Sequence, residues 1–201
     1  MSKFKVAVLI SGGGSNLQAI IDKFQSDETI ELSCVLSNKK DAHGLKRASE
    51  ANIDNFFVDH TNYPSREDFD RELIGTLEKY KPDLVVLAGF MRILSPLFVN
   101  KYLGKLINIH PSLLPKYKGL DTHKRVLENN EEYHGVTVHF VDNTLDGGPI
   151  CAQSSLKVET KDIEELQRAI HELEHELYPW VIDQIANKKI FLSDGEIVKK
   201  V

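Results

Sequence analysis

Apolar positions along this chain follow two alternating spacings. Short continuous runs at residues 5–10, 30–36, 55–59, 83–89 and 106–110 have the length and composition of strands. Between them apolar residues recur at helical spacing: Leu17, Ile20, Ile21 and Phe24, then 42–51, then Phe69, Leu73, Leu77 and Tyr80, then a short segment at 96–102. Strand and helix in rotation predict an α/β fold, Rossmann-like, with a mostly parallel sheet and helices on both faces. The pattern then changes. Residues 122–130 read as a helix, whereas 135–141 and 150–158 read as strands joined only by a loop. That predicts an antiparallel pair and a sheet that is mixed at its C-terminal edge. Residues 162–185 form the longest helical stretch, with one stripe of Ile163, Leu166, Ile170, Leu173, Leu177, Val181 and Ile185. Pro179 inside it predicts a kink or a division in two. The tail from Lys188 suggests a hairpin.

Polar residues interrupt this pattern at the end of the fifth strand. In LINIHPSLLP (residues 106–115), Leu106, Asn108 and His110 share one face and Ile107 and Ile109 the other. An amide and an imidazole at the mouth of a buried strand are costly unless they are satisfied or used. Asp146 lies in the later loop DNTLDGGP (142–149), where Gly-Gly-Pro predicts a rigid turn that can aim a carboxylate. Asn108, His110 and Asp146 are the parts for acyl-type transfer to an amine, with an amide and an imidazolium on an oxyanion and a carboxylate behind the imidazole. No serine or cysteine has an evident base, which favours direct transfer between two bound substrates. The competing reading is a core Asn and His satisfied by backbone groups.

The first strand leads into Ser11-Gly-Gly-Gly14-Ser15-Asn16 and then a helix, a unit that can set a phosphate against a helix N-terminus. Leu17 stands where a dinucleotide fingerprint needs its third glycine, and no acidic residue closes the second strand. A Walker lysine is also missing. A phosphomonoester or a ligand-free tight turn remain. Arg66, in the first turn of the helix after Ser65, opposes the helix dipole, which points either to an anionic ligand or, more commonly, to a solvated arginine. Phe90, Met91, Arg92, Ile93 and Leu94 form a largely apolar loop at a strand's carboxyl end, where a flat aromatic ligand would fit.

With 201 residues, 41% hydrophobic and 27% charged, the composition is that of an ordinary soluble globular protein. A net charge of −5 disfavours a general nucleic-acid or anionic-membrane binder. Cys34 and Cys151 lack ligand or redox spacing and are expected to be reduced core thiols. The N-terminal apolar run is too short for a signal or membrane segment, so a cytoplasmic protein is expected. His171-Glu-Leu-Glu-His175 matches H-E-x-x-H on a helix, the zinc-hydrolase signature. The surrounding helix is glutamate-rich and only Glu196 follows as a distant third ligand, so no metal is expected.

Four segments together carry a family resemblance: VLISGGGSNLQAII (8–21), VVLAGFMRILSP (85–96), NIHPSLLPKY (108–117) and LDGGP (145–149). The chain resembles the phosphoribosylglycinamide formyltransferases over nearly its whole length, as one domain with a phosphate-binding half at about 1–100 and a catalytic and folate half at about 101–188. The SLLP block is shared with other folate formyltransferases, and its combination with the first two segments is more specific. The resemblance implies formyl transfer from 10-formyltetrahydrofolate to glycinamide ribonucleotide in purine synthesis. It implies Asn108, His110 and Asp146 as catalytic residues and Gly14, Ser15 and Asn16 as the substrate-phosphate loop. It further implies Glu174 as a nucleotide-holding carboxylate, which absorbs the zinc motif. Arg66, Met91, Arg92, Ile93, Leu94, Asn108 and the segment from Asp142 to Asp146 are implied around the folate. The alternatives are another folate-dependent formyltransferase, a formyltetrahydrofolate hydrolase, or a nucleotide-binding module without turnover. A methionyl-tRNA formyltransferase is expected to add a basic C-terminal domain, and the hydrolase an N-terminal module; neither pattern is visible in these residues. Oligomeric state has no signature in the sequence.

Overall fold

The computed structural model describes residues 2–193 and 195–200. Strands β1 (Phe4–Ile10), β2 (Ile30–Ser37), β3 (Asn55–Phe57) and β4 (Leu84–Leu87) pair in parallel, β1 lying between β2 and β4 and β3 outside β2. Parallel neighbours need crossovers, and the helices predicted between the strands provide them: α1 (Ser15–Phe24), α2 (His43–Glu50) and α3 (Arg66–Tyr80). The strand order of the large sheet is β3-β2-β1-β4-β5-β6-β7, where β5 is Leu106–His110, β6 is Tyr133–Phe140 and β7 is Ile150–Lys157. As the loop connection predicts, β6 and β7 are antiparallel. Two short strands, β8 (Ile190–Ser193) and β9 (Glu196–Lys199), form the expected hairpin as a separate antiparallel sheet.

By internal contacts the chain divides inside β5, into residues 1–107 and 108–201. In the first unit β1 is the axis: Val6 to Ile10 are all fully buried, and Leu17, Ile20, Ile21 and Phe24 of α1 are buried as their spacing predicts. Each such aliphatic side chain contributes about 1.5–3 kcal/mol on burial. The start of α3 is set by Ser65, whose hydroxyl accepts from the Asp68 backbone N–H at 3.1 Å and donates to the Asp68 carboxylate at 2.7 Å. A short helix α4 (Pro96–Lys101) follows β4, with proline in its first turn.

In the second unit α5 (Thr122–Glu128) and the long α6 (Ile163–Ala186) join β6 through a core of Val126, Val136, Leu166 and Ile170. Pro179 does not divide α6 in two. The helix runs unbroken through Pro179, because Tyr178, Pro179, Val181 and Ile182 are buried and packing holds both halves together. The aliphatic stripe packs inward along most of its length: Leu166, Ile170, Val181 and Ile185 are buried, and Leu173 and Leu177 pack against the core. Leu166, Ile170, Glu174, Tyr178 and Ile182 face inward at steps of four, while Ile163 is exposed. Cys34 and Cys151 are free and buried, and burial pushes both thiols up to about 12. Among the described residues no helix is long and apolar enough to cross a membrane.

Candidate active site

In the first unit the glycine turn is fixed by its own backbone and by α2. Gly14 is the N-cap of α1 in a left-handed conformation, φ 72°. A Cβ there would lie 2.7 Å from the Gly44 Cα, so glycine is required by both strain and space. The Gly12 carbonyl accepts from the Gly44 N–H at 3.1 Å. The Gly13 carbonyl accepts from Arg47 Nε at 2.9 Å, and Arg47 Nη1 donates to Gln18 Oε1 at 2.9 Å. Ser15 and Asn16 open α1, whose first turn carries no acidic side chain. A helix N-terminus without a competing carboxylate, beside an arginine, has the electrostatics of an anion cradle.

After β4 the chain turns at Gly89, φ 71°, into the apolar loop. Met91 and Ile93 are 68% and 67% exposed, while Leu94 is buried. Arg92 and Arg66, the latter at the first position of α3, are also exposed. The loop is closed at its far end by Asp70, whose Oδ2 accepts from the Ser95 N–H at 2.6 Å. Burial raises the Asp70 carboxyl above its ordinary range despite that bond.

The second unit gathers Asn108, His110 and Asp146. His110 Nε2 lies 2.9 Å from the Tyr117 carbonyl, which can only accept, so Nε2 carries a proton. Nδ1 is then the nitrogen free to gain or lose one, and it lies 3.6 Å from Asp146 Oδ2. The same carboxylate oxygen accepts from the Gly119 N–H at 2.9 Å. Asp146 adopts φ 45°, held in this uncommon conformation by its loop. Asp142 Oδ1 ties the loop's first turn by accepting from the Thr144 backbone N–H and hydroxyl at 2.8 and 2.6 Å. At the other end, a Cβ on Gly148 would lie 1.9 Å from the Phe140 carbonyl oxygen.

Residues outside the predicted set complete the arrangement. His139 Nδ1 donates to the Phe140 carbonyl at 2.9 Å, and burial lowers the imidazole's pKa, leaving Nε2 as an acceptor. Asn108 Nδ2 lies 3.4 Å from that Nε2 and donates to it, which sets the amide's orientation and leaves its second N–H for a ligand. The 3.8 Å approach of His139 Nε2 to Asp146 Oδ1 is therefore a contact of a neutral ring. Thr137, fully buried, holds the segment after His110: its hydroxyl donates to the Ser112 carbonyl at 2.6 Å and accepts from the Leu114 N–H at 3.1 Å and Gln153 Nε2 at 2.8 Å. Thr137 and His139 lie on one face of β6, opposite Val136, Val138 and Phe140, so the alternation in the sequence did carry a signal for them.

Two further histidine pairs lie in this unit. His123 Nδ1 and His134 Nε2 are 3.0 Å apart, and burial lowers both pKa values, His134 to about 4. The His171 and His175 rings stack at 6.2 Å, and burial lowers the pKa of His175. Among the described residues no group of three His, Cys, Asp or Glu side chains is placed to hold a metal ion. Glu174, between those two rings in sequence, is turned inward and only 5% exposed.

Comparison with known proteins adds the following. The formyl transferase family profile matches residues 4–182. The chain is 50% identical over 192 residues to the phosphoribosylglycinamide formyltransferase of Escherichia coli (strain K12), covering 94% of this chain and 91% of that one. It is 46% identical over 196 residues to the trifunctional purine biosynthetic protein adenosine-3 of Chironomus tentans, covering 96% of this chain and 14% of that protein. The solved phosphoribosylglycinamide formyltransferase of Coxiella burnetii superposes with a TM-score of 0.94 at 46% identity, covering 98% of this chain and 94% of that one.

Proposed function

The chain belongs to the formyl transferase family, and from that footing we propose that it is a phosphoribosylglycinamide formyltransferase acting in de novo purine biosynthesis. It passes the formyl group of 10-formyltetrahydrofolate to the amine of glycinamide ribonucleotide, giving formylglycinamide ribonucleotide and tetrahydrofolate. The observation that carries this reading is the pairing of His110 Nδ1 with Asp146 beside an oriented Asn108 amide. It is supported by the family match over most of the chain.

The residues divide by task. Gly14, Ser15 and Asn16 hold the substrate phosphate at the α1 N-terminus, and Glu174 holds the nucleotide through hydrogen bonds. The exposed apolar Met91 and Ile93 suit a flat pteridine, whose edge the backbone of residues 91–94 can read, with Arg92, Arg66 and Asp142 as its polar surroundings. The folate supplies the formyl carbon. As the substrate nitrogen bonds to that carbon, the carbonyl electron pair moves onto oxygen. Asn108 Nδ2–H and protonated His110 Nδ1–H donate to this oxyanion. Asp146 offsets the imidazolium charge and takes up the amine's proton by way of water. Collapse returns the electron pair, breaks the bond to the folate nitrogen and delivers a proton to it.

The chain works as one formyltransferase domain in the cytoplasm, with the phosphate loop, Arg66 and residues 91–94 in its N-terminal half at about 1–100 and the catalytic residues and Asp142 in its C-terminal half at about 101–188. The test is to incubate purified protein with glycinamide ribonucleotide and 10-formyltetrahydrofolate and follow tetrahydrofolate. Equimolar formation of tetrahydrofolate and the formylated nucleotide is expected. Tetrahydrofolate with free formate would instead identify a hydrolase, and binding of both ligands without product a module that does not turn over.

A further inference from the structure

Ser11 is the residue where the glycine turn and the apolar loop meet within the first unit. It follows the last residue of β1 and precedes Gly14 by three positions. Its backbone N–H donates to the Gly89 carbonyl at 3.1 Å. Its hydroxyl accepts from the Met91 N–H at 2.8 Å and donates to Asn38 Oδ1 at 2.6 Å. Asn38 is 2% exposed, so the donor side of the hydroxyl is anchored to a buried amide at the end of β2. Met91, by contrast, is 68% exposed, and water would satisfy its N–H equally well. The bond is therefore not needed to rescue a buried donor. What it does is fix where the apolar loop starts relative to the turn that opens α1.

We propose that Ser11 is a positioning residue that couples the two ligand-bearing loops, so that a phosphate ligand on the glycine turn tightens binding of the folate on residues 91–94. The proposal rests on the formyl-transfer reading and deepens it. Ligand on the turn holds the backbone from Gly12 onward and, through Ser11, the Met91 N–H; the folate then meets a loop already in place. Coupling of this kind is reciprocal and commonly amounts to a factor of about 5 or more.

Calorimetric titration of tetrahydrofolate into the full chain, with and without saturating glycinamide ribonucleotide, reads the coupling directly. Wild type is expected to bind tetrahydrofolate about 5-fold more tightly when the nucleotide is present. In Ser11→Ala the factor falls to near unity and the tetrahydrofolate Kd rises about 5-fold, the value of one hydrogen bond, while the nucleotide's own Kd moves less than about 2-fold. Ser11→Thr, which keeps the hydroxyl, restores the coupling. Should Ser11→Ala fail to fold, Ser11→Cys carries the same test, since a thiol is a weak donor and acceptor. Coupling retained in Ser11→Ala, absent from wild type, or lost equally in Ser11→Thr overturns the proposal. A wild-type chain that transfers formyl but shows no coupling overturns this inference alone, whereas one that binds neither ligand overturns the transfer reading as well.

Discussion

The imidazole of His110 is held by the backbone of Tyr117: Nε2 donates to that carbonyl at 2.9 Å, which turns Nδ1 toward Asp146. Tyr117 itself sits at φ 57°, so its carbonyl is aimed by a loop conformation that bulky side chains seldom adopt. The neutral ring must then carry its proton on Nε2. Nitrogen-15 shifts of labelled protein with the ring neutral should show that tautomer, and a neutral ring protonated on Nδ1 would contradict the assignment of Nδ1 as the working nitrogen.

Asn108 depends on His139 in the same way. The amide donates to a neutral imidazole whose other nitrogen is committed to the Phe140 carbonyl. His139→Ala releases the amide and should lower kcat about tenfold, the value of a well-placed hydrogen bond, with KM for both substrates nearly unchanged. An equal loss in KM and kcat would point to general damage to the site.

Acid sensitivity is expected from the His123–His134 pair. In the folded chain the His134 pKa falls from 6.5 to about 4, chiefly through burial. Above 6.5 both folded and unfolded chains leave it neutral, and its contribution to stability is fully present. As pH falls from 6.5 toward 4 the unfolded chain binds the proton first, so stability declines, by at most about tenfold in the folding constant per pH unit for this group. Below that the loss levels off. Urea midpoints across this range should fall with pH in wild type and fall less in His134→Phe.

Gly14→Ala tests the anion cradle. The new methyl would meet the Gly44 Cα at 2.7 Å and sit on a backbone at φ 72°. Backbone strain of this kind costs about 1–3 kcal/mol. The expected result is a KM for glycinamide ribonucleotide raised by at least about tenfold, with KM for the folate changed much less. Gly13→Ala is the control, because a Cβ there has nothing within 4 Å.

Much of this site could be read from side-chain periodicity. Asn108 and His110 stood out because they share a face of a short strand, and the glycine turn because it joins a buried strand to an amphipathic helix. The Tyr117 carbonyl and the Gly119 N–H could not be read, since a backbone group of any residue can serve and its aim depends on loop dihedrals. His139 was within reach of the alternation on β6, but a lone histidine on a buried strand looks the same whether it orients a neighbour or only fills space. On α6 the aliphatic part of the seam was legible, and its polar part was not. Sequence hydrophobicity ranks Leu173 and Leu177 above Glu174, yet the structure turns Glu174 and Tyr178 inward.

The central claim is that Asp146 works with His110 in formyl transfer, and Asp146→Asn tests it most directly. The amide keeps the size of the side chain and an oxygen that can accept from the Gly119 N–H, so the variant should fold and bind both substrates. It removes the negative charge 3.6 Å from Nδ1 and the proton acceptor. Turnover of glycinamide ribonucleotide and 10-formyltetrahydrofolate should fall by about 10²-fold or more, by comparison with other electrostatic contributions to an oxyanion. Near-wild-type turnover in a folded Asp146→Asn chain would contradict the account.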